Sequence, residues 1–131
     1  MGNQTSQLIL AANIGIMLFF TIAVAPTIFT VLPQEWAAKY VRAFFPKYYA
    51  VLGITSAIAA AFEANQIHRY ALAACAIFFF ISQWVITPAV NRARDAGREH
   101  SFKSLHRLSV AINLLQLIIF IWVLYADIKS A

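Results

Sequence analysis

Four long apolar runs, separated by short polar or basic linkers, make up most of the chain. They cover residues 8–32, 46–62, 70–90 and 102–126. A helix of roughly 17–25 apolar residues crosses the hydrocarbon core of a bilayer, which is about 30 Å thick. The pattern therefore predicts an all-α membrane protein, with a bundle of four transmembrane helices forming a single domain over residues 1–131.

The first run has a rival interpretation as a cleaved signal peptide, because Ala23-Val24-Ala25 resembles a cleavage site. No Lys or Arg precedes the run, and it is longer than the apolar core of a signal peptide. We therefore interpret it as a retained span. Pro26, near its far end, is expected to kink the helix or to end its regular part.

Residues 34–45, between the first two spans, have an amphipathic helical pattern. Glu35, Lys39 and Arg42 share one face, and aromatic and aliphatic side chains share the other. This pattern predicts a short helix lying in the membrane interface, with its bases toward the headgroups. The alternative is a connector packed on the bundle. In either case the second span is expected to begin at Pro46.

The second span is rich in small residues, and Gly53, Ala57 and Ala61 recur at every fourth position. Small residues at this spacing let two helix backbones approach closely inside a membrane. The partner helix can belong to the same chain or to a second copy. A homo-oligomer and a larger membrane complex therefore both stay open.

A charged linker over residues 91–100 is predicted to separate the third and fourth spans, and we expect Gly97 to be its turn residue and Ser101 to be the N-cap of the fourth helix. The chain also carries a weak internal repeat. Each odd-numbered span has a double Phe followed by a Pro, then a basic linker and another span. These groups are Phe19-Phe20 with Pro26, and Phe79-Phe80 with Pro88.

Composition agrees with a membrane-embedded domain, since 62% of the residues are hydrophobic and only 11% are charged. The net charge of +5 does not indicate nucleic-acid binding, because most bases lie between the spans. Eight bases follow spans one and three, against Arg69 and Lys129 on the other side. The eight are Lys39, Arg42, Lys47, Arg92, Arg94, Arg98, Lys103 and Arg107.

This asymmetry of bases sets the expected orientation. Linkers rich in Lys and Arg stay in the cytoplasm. We therefore expect a multi-pass protein of a bacterial inner (plasma) membrane, with both termini on the periplasmic side.

Motifs for chemistry are scarce in the sequence. It has no nucleophile-elbow, zinc-protease, phosphate-loop or paired-cysteine motif, and no carboxylate pair within a span. Cys75 is the only cysteine, so it forms no internal disulfide and is expected to be a buried apolar residue. The pattern argues against a hydrolase and against a carboxylate-based proton pump.

The fourth span nevertheless carries a polar stripe. His106, Ser109, Asn113 and Gln116 fall within an arc of roughly 80° on a helix. Polar groups that face hydrocarbon are costly, so we expect the stripe to face protein. Gln83 of the third span is expected on the order of 10 Å below the same boundary as Asn113. Together they predict a polar pocket between spans three and four, open to the cytoplasm.

Asn113 and Gln116 have an alternative role, since amide side chains also hydrogen-bond across membrane helices. His106 likewise has two interpretations. It can ligate haem or a metal or move protons, or it can be a histidine at a helix start, bonded to a carbonyl or to Asp95. His100 in the loop and His68 on the outer side do not converge with it, so no metal site is predicted.

Asp95 lies among the bases of the linker that follows span three. It is expected to pair with Arg94 or Arg107, or to orient His106. Any of these pairings would close the cytoplasmic mouth of the predicted pocket.

Four stretches carry a resemblance to a known family. They are APTIF at 25–29, FFPKYY at 44–49, Asn91 with Arg94-Asp95, and FKSLHRLSVAINLLQ at 102–116. The chain resembles a bacterial family of four-span proteins of unknown function, related to the human transmembrane protein linked to cisplatin resistance. More remotely, it is similar to the copper-resistance CopD group and to HemJ-type protoporphyrinogen oxidases, which use intramembrane histidines and haem b.

The resemblance implies a set of signature positions in this chain. They are Asn91, Arg94, Asp95, Phe102, His106 and Asn113. It does not imply a haem site, because the extra intramembrane histidine of the haem-binding relatives is absent.

Three functional hypotheses follow from these patterns. The leading one is a small binding protein that holds a small molecule or lipid in the pocket, without catalysis. The second is a membrane redox enzyme with haem b on His106, and the third is an accessory subunit of a larger membrane complex.

Overall fold

The structure, a computed structural model, describes residues 2–130. Within this range four helices are long and apolar enough to cross a membrane, and there is no strand. The four spans are Asn3–Val31, Gln34–Phe62, Gln66–Asp95 and Glu99–Ser130. The predicted all-α bundle of four transmembrane helices is confirmed, and the chain is a multi-pass membrane protein.

Two of the four spans are divided by a π-helical turn. The elements are α1 (Gly2–Phe19), a π turn (Phe20–Val24), α2 (Ala25–Val31), α3 (Gln34–Phe62), α4 (Gln66–Ile81), a π turn (Ser82–Ile86), α5 (Thr87–Asp95) and α6 (Glu99–Ser130). Helix α3 packs against α1 and α4, and α6 packs against α1, α4 and α5. The spans therefore surround one core, whose largest fully buried side chains include Phe79 and Phe120.

Both π turns precede a proline at the same distance. One begins at Phe20, six positions before Pro26, and the other at Ser82, six positions before Pro88. A proline has no N–H, and its ring clashes with the carbonyl four residues earlier. A turn widened by one residue relieves this clash. The two copies of the internal repeat, spans one and two and spans three and four, are thus more alike in structure than the unequal spacing of their phenylalanines and prolines indicates.

Residues 34–45 do not form a separate helix. They are the first part of α3, which continues through Pro46 to Phe62. The prediction of a distinct interfacial helix is therefore wrong. Ala37 and Val41 pack against Ile28 of α2, and this contact holds the stretch in line with the rest of α3. Helices that cross membranes tolerate the loss of one hydrogen bond at a proline where neighbours hold the chain.

The small residues of α3 serve two different surfaces. Gly53 is buried, and a Cβ at this position would lie 2.8 Å from Cζ of Phe80 in α4. A side chain at this position would therefore push the Phe80 ring aside, so glycine favours the close packing of α3 on α4 within the chain. Ala57 and Ala61 lie on the outer surface. A homo-oligomer or a larger complex that uses them stays a prediction.

The linker between the third and fourth spans is shorter than expected. Asn91–Asp95 belong to α5, and α6 begins at Glu99, so Ser101 is not an N-cap. Gly97 does form the turn, with φ at 70°, a conformation that glycine adopts without strain. Cys75 is buried in the core, as predicted.

Candidate functional site

A cavity of about 260 Å³ lies in the half of the bundle near loops 32–33 and 96–98. We call this end of the bundle the basic end, because it carries eight of the ten Lys and Arg residues. All four spans contribute to the lining. Apolar and aromatic side chains form most of the wall, and the two arginines of the lining, Arg42 and Arg94, lie toward the basic end.

The cavity brings together five of the eight side chains predicted from the sequence. They are Asn91, Arg94, His106, Ser109 and Asn113. Gln83, Asp95 and Gln116 do not line it. The lining also extends across α1 and α3, and so is wider than a pocket between spans three and four.

Gln116 is buried and turned toward α4, where its Nε2 donates a hydrogen bond to the main-chain oxygen of Cys75 at 2.9 Å. Gln116 therefore has the second of its two predicted roles, a hydrogen bond between helices. Gln83 is half-buried, and its Oε1 has no hydrogen-bond partner among residues 2–130. The expected pairing of Gln83 with the polar stripe of α6 is therefore not formed.

Asn113 is held at the cavity wall by a tyrosine that sequence reasoning missed. The hydroxyl of Tyr48, a buried residue of α3, donates to Asn113 Oδ1 at 3.4 Å. Tyr48 is also part of an aromatic wall, with the ring of Phe20 at 5.1 Å and that of Phe45 at 6.0 Å. The aromatic run at 44–49 was the available signal, but it was assigned partly to an interfacial helix.

Asp95 pairs with Arg42, and not with Arg94, Arg107 or His106 as predicted. Its Oδ1 accepts from Arg42 Nη2 at 2.8 Å, and its Oδ2 accepts from Nη1 at 3.4 Å. The correction follows from the continuity of α3, which carries Arg42 alongside the end of α5. Both side chains are exposed, and this bidentate salt bridge links α3 and α5 at the rim of the cavity.

Arg94 lines the cavity and forms no salt bridge with an acidic side chain among residues 2–130. Its guanidinium lies over the ring of Phe102, 4.7 Å from the centroid. Its Nη1 is buried and has no hydrogen-bond partner among residues 2–130. A buried cationic donor without an acceptor is costly, and an anion placed beside it would recover that cost.

His106 also lines the cavity, but its side chain is largely exposed. Its ring stacks on Phe102, with the centroids 6.0 Å apart. Its main-chain oxygen accepts from the Ser109 hydroxyl at 2.7 Å. His106 as a haem ligand stays a prediction.

A second cluster lies at the opposite end of the bundle. His68 Nδ1 is 2.8 Å from Asp127 Oδ1 and 4.0 Å from Glu63 Oε1, and all three residues are buried. Burial, and then the adjacent Asp127 carboxyl, raise the pKa of Glu63 above its ordinary value. The sequence analysis did not predict this cluster, although the positions of the three residues at the ends of the apolar runs place them at a similar depth in the membrane. His68 lies in the first turn of one span, Glu63 directly follows the end of another, and Asp127 lies in the last turns of a third.

Comparison with known families gives one match. A family described as a domain of unknown function, DUF4149, matches residues 8–99. No curated protein and no solved structure matches the chain. The expectation of an uncharacterised family is confirmed, whereas the match gives no link to the human protein or to the CopD and HemJ groups.

Proposed function

The chain belongs to the family described as a domain of unknown function, DUF4149, and we propose that it binds an anionic amphiphile in the cavity at its basic end. By this we mean a molecule with an apolar tail and a phosphate or similar headgroup, as in many lipids. The observation that carries the proposal is the buried, unpartnered Nη1 of Arg94, a residue that lines a largely apolar cavity.

The two kinds of lining suit the two parts of such a ligand. Phe20, Phe29 and Phe45 supply apolar surface for a tail, and Arg94 with Asn91 and His106 supplies hydrogen-bond donors for a headgroup. Arginine matches phosphate geometry well, because its planar guanidinium can donate two parallel hydrogen bonds. A volume of about 260 Å³ is near the lower limit of small-molecule pockets. We therefore propose that it holds the headgroup and the first part of the tail.

Arg42 is a less suitable partner for the headgroup than Arg94. Its guanidinium is exposed and already paired with Asp95. That contact instead joins α3 and α5 beside the cavity. In our proposal it holds the rim in place while Arg94 carries the charge recognition.

The binding test compares two arginines on the same helix. Arg94→Gln removes the lining guanidinium, whereas Arg92→Gln removes an exposed one that does not line the cavity. A hydrogen bond to a charged group contributes about 1.5–3 kcal/mol. We therefore expect Arg94→Gln to weaken binding of dodecyl phosphate about tenfold or more, and Arg92→Gln to change it less than about twofold. Native mass spectrometry from a neutral sugar detergent measures both.

Two further probes separate the parts of the ligand. Inorganic phosphate presents the headgroup alone, and dodecylphosphocholine has the same tail with a neutralised headgroup. We expect both to bind more weakly than dodecyl phosphate. Equal losses in the two arginine variants would overturn the proposal, because they would show attraction by net charge alone.

We also propose that the basic end faces the cytoplasm of a bacterial inner membrane, so that the cavity opens to the inner leaflet. The support is the eight bases at this end against two at the other. Anionic lipids are themselves attracted to such a surface.

Cysteine labelling tests the orientation. Ala64 and Ala96 are exposed in the loops at opposite ends, and Cys75→Ala removes the buried native thiol. In intact spheroplasts, a membrane-impermeant maleimide should label Ala64→Cys. It should label Ala96→Cys only after the membrane is broken. The reverse pattern would place the cavity on the outer side.

A further inference from the structure

We propose that Glu63, His68 and Asp127 form a binding site for a divalent transition-metal ion of the zinc class, at the end of the bundle opposite the cavity. The three residues come from three separate parts of the chain: the loop after α3, the first turns of α4 and the last turns of α6. This site is independent of the amphiphile cavity.

The ligand atoms are spaced as a small ion requires. One imidazole nitrogen and two carboxylate oxygens all lie within 4.8 Å of one another. Zinc bonds of about 2.0–2.2 Å in tetrahedral geometry place neighbouring ligand atoms roughly 3.3 Å apart. The observed separations from His68 Nδ1, 2.8 Å to Asp127 and 4.0 Å to Glu63, bracket that value. Shifts well below an ångström would therefore complete three bonds.

An unsatisfied oxygen gives a second, separate indication that a cation binds here. Asp127 is 2% exposed, and its Oδ2 has no hydrogen-bond partner among residues 2–130. Buried carboxylate oxygens are normally paired or bound to metal. The nearby base Arg69 forms no salt bridge with either carboxylate. Its guanidinium donates to the main-chain oxygen of Glu63, at 2.7 Å and 3.1 Å.

Supporting contacts fix the proposed ligands in place. The Ser6 hydroxyl of α1 donates to Glu63 Oε2 at 3.2 Å, and the main-chain N–H of Asn65 donates to Oε1 at 3.2 Å. The indole of Trp122 packs edge-on against the His68 ring, with the centroids 4.9 Å apart. Such outer contacts orient metal ligands in known sites. Because Ser6 belongs to the first span, residues from or next to all four spans contribute to this cluster.

The mixed ligand set selects the class of ion. Imidazole suits zinc, iron, copper and nickel, whereas sites for calcium and magnesium are built from oxygen alone. Three protein ligands leave one position of a tetrahedral ion for water. We therefore use Zn²⁺ as the probe and Mg²⁺ as its matched competitor.

The experiment titrates Zn²⁺ into the full chain, purified in mild detergent, freed of any histidine tag and stripped with a chelator. Calorimetry should show one Zn²⁺ per chain, undiminished by excess Mg²⁺. His68→Gln and the nearly isosteric Asp127→Asn should each weaken binding more than tenfold. His100→Gln removes an exposed histidine at the basic end and should leave binding unchanged.

Thermal unfolding supplies a readout that does not depend on calorimetry. Zn²⁺ should raise the melting temperature of the wild type, because it binds only the folded chain, and should not raise that of Asp127→Asn. Circular dichroism and gel filtration confirm that each variant is folded, and Glu63→Gln replaces any that is not. Absence of saturable Zn²⁺ binding, or equal binding in wild type and Asp127→Asn, overturns the proposal. Weak amphiphile binding with intact Zn²⁺ binding affects only the proposed function.

Discussion

Replacing Phe79 by alanine lowers the free energy of unfolding by about 3–5 kcal/mol, whereas the same change at Phe78 lowers it by less than about 1 kcal/mol. The two phenylalanines are adjacent on α4 but face opposite environments. Phe79 is 0% exposed, and its ring contacts those of Tyr49 and Phe120. Phe78 is 46% exposed on the outer surface, where lipid fills the space that its ring leaves.

The reason for the large effect is packing rather than transfer out of water. Lipid tails are as apolar as the core, so membrane helices associate mainly through close contacts. Removing the Phe79 ring leaves a void that lipid cannot reach. Unfolding in mixed micelles with increasing sodium dodecyl sulfate measures both variants. Similar losses at Phe78 and Phe79 would show that the buried face of α4 has been assigned wrongly.

Filling the cavity is the second change with a large expected effect. Ser109 lines it, and among residues 2–130 its hydroxyl donates only to the main chain of its own helix, so replacing it breaks no hydrogen bond between helices. An indole at this position occupies the space that we assign to the ligand. We expect Ser109→Trp to weaken dodecyl phosphate binding at least about 100-fold, equivalent to about 2.8 kcal/mol.

Ser104→Trp is the matched control for this change. Ser104 lies on the same helix near the basic end, but it is exposed and does not line the cavity. Native mass spectrometry should find its affinity within about twofold of the wild type. Retained binding in Ser109→Trp, with the fold intact, would place the ligand elsewhere and so contradict the proposed function.

The spans were readable from the sequence because lipid imposes a strong constraint. A helix must be long and apolar to cross, and this requirement acts on every residue of the run. The break assigned at Pro46 was wrong for a local reason. The prediction of a helix end at Pro46 used only the tendency of proline to interrupt helices. It could not take into account the packing of Ala37 and Val41 against Ile28, which keeps α3 continuous.

The cavity was only partly predictable. The polar stripe of α6 did identify Asn113, His106 and Ser109, yet Gln116 on the same stripe bonds to α4. A helix in a bundle crosses its neighbours at an angle, so one stripe meets different helices at different depths. Periodicity gives the face of a helix but not the neighbour at each level. The contribution of Tyr48, across the bundle, has no periodic signal at all.

The cluster of Glu63, His68 and Asp127 could have been found by comparing the depths of polar residues in the membrane at both ends of the bundle. Glu63 and Asp127 are separated by most of the second half of the chain, and neither lies near the middle of a span. A search for carboxylate pairs within a single span therefore passes over them. That the two carboxylates lie at the same depth follows only when the end of α3, the start of α4 and the end of α6 are compared with one another.

The two π turns also limit how the length of this chain can vary. Each contains one residue more than an α-helical turn, and one residue corresponds to a rotation of about 100° about the helix axis. Deleting one position there would give a more regular helix but would swing α2 or α5, with their cavity-lining side chains, to a different side. Insertions and deletions are therefore tolerable in the three loops but not within these two turns. The number of residues in each turn determines which side of the following helix faces the cavity.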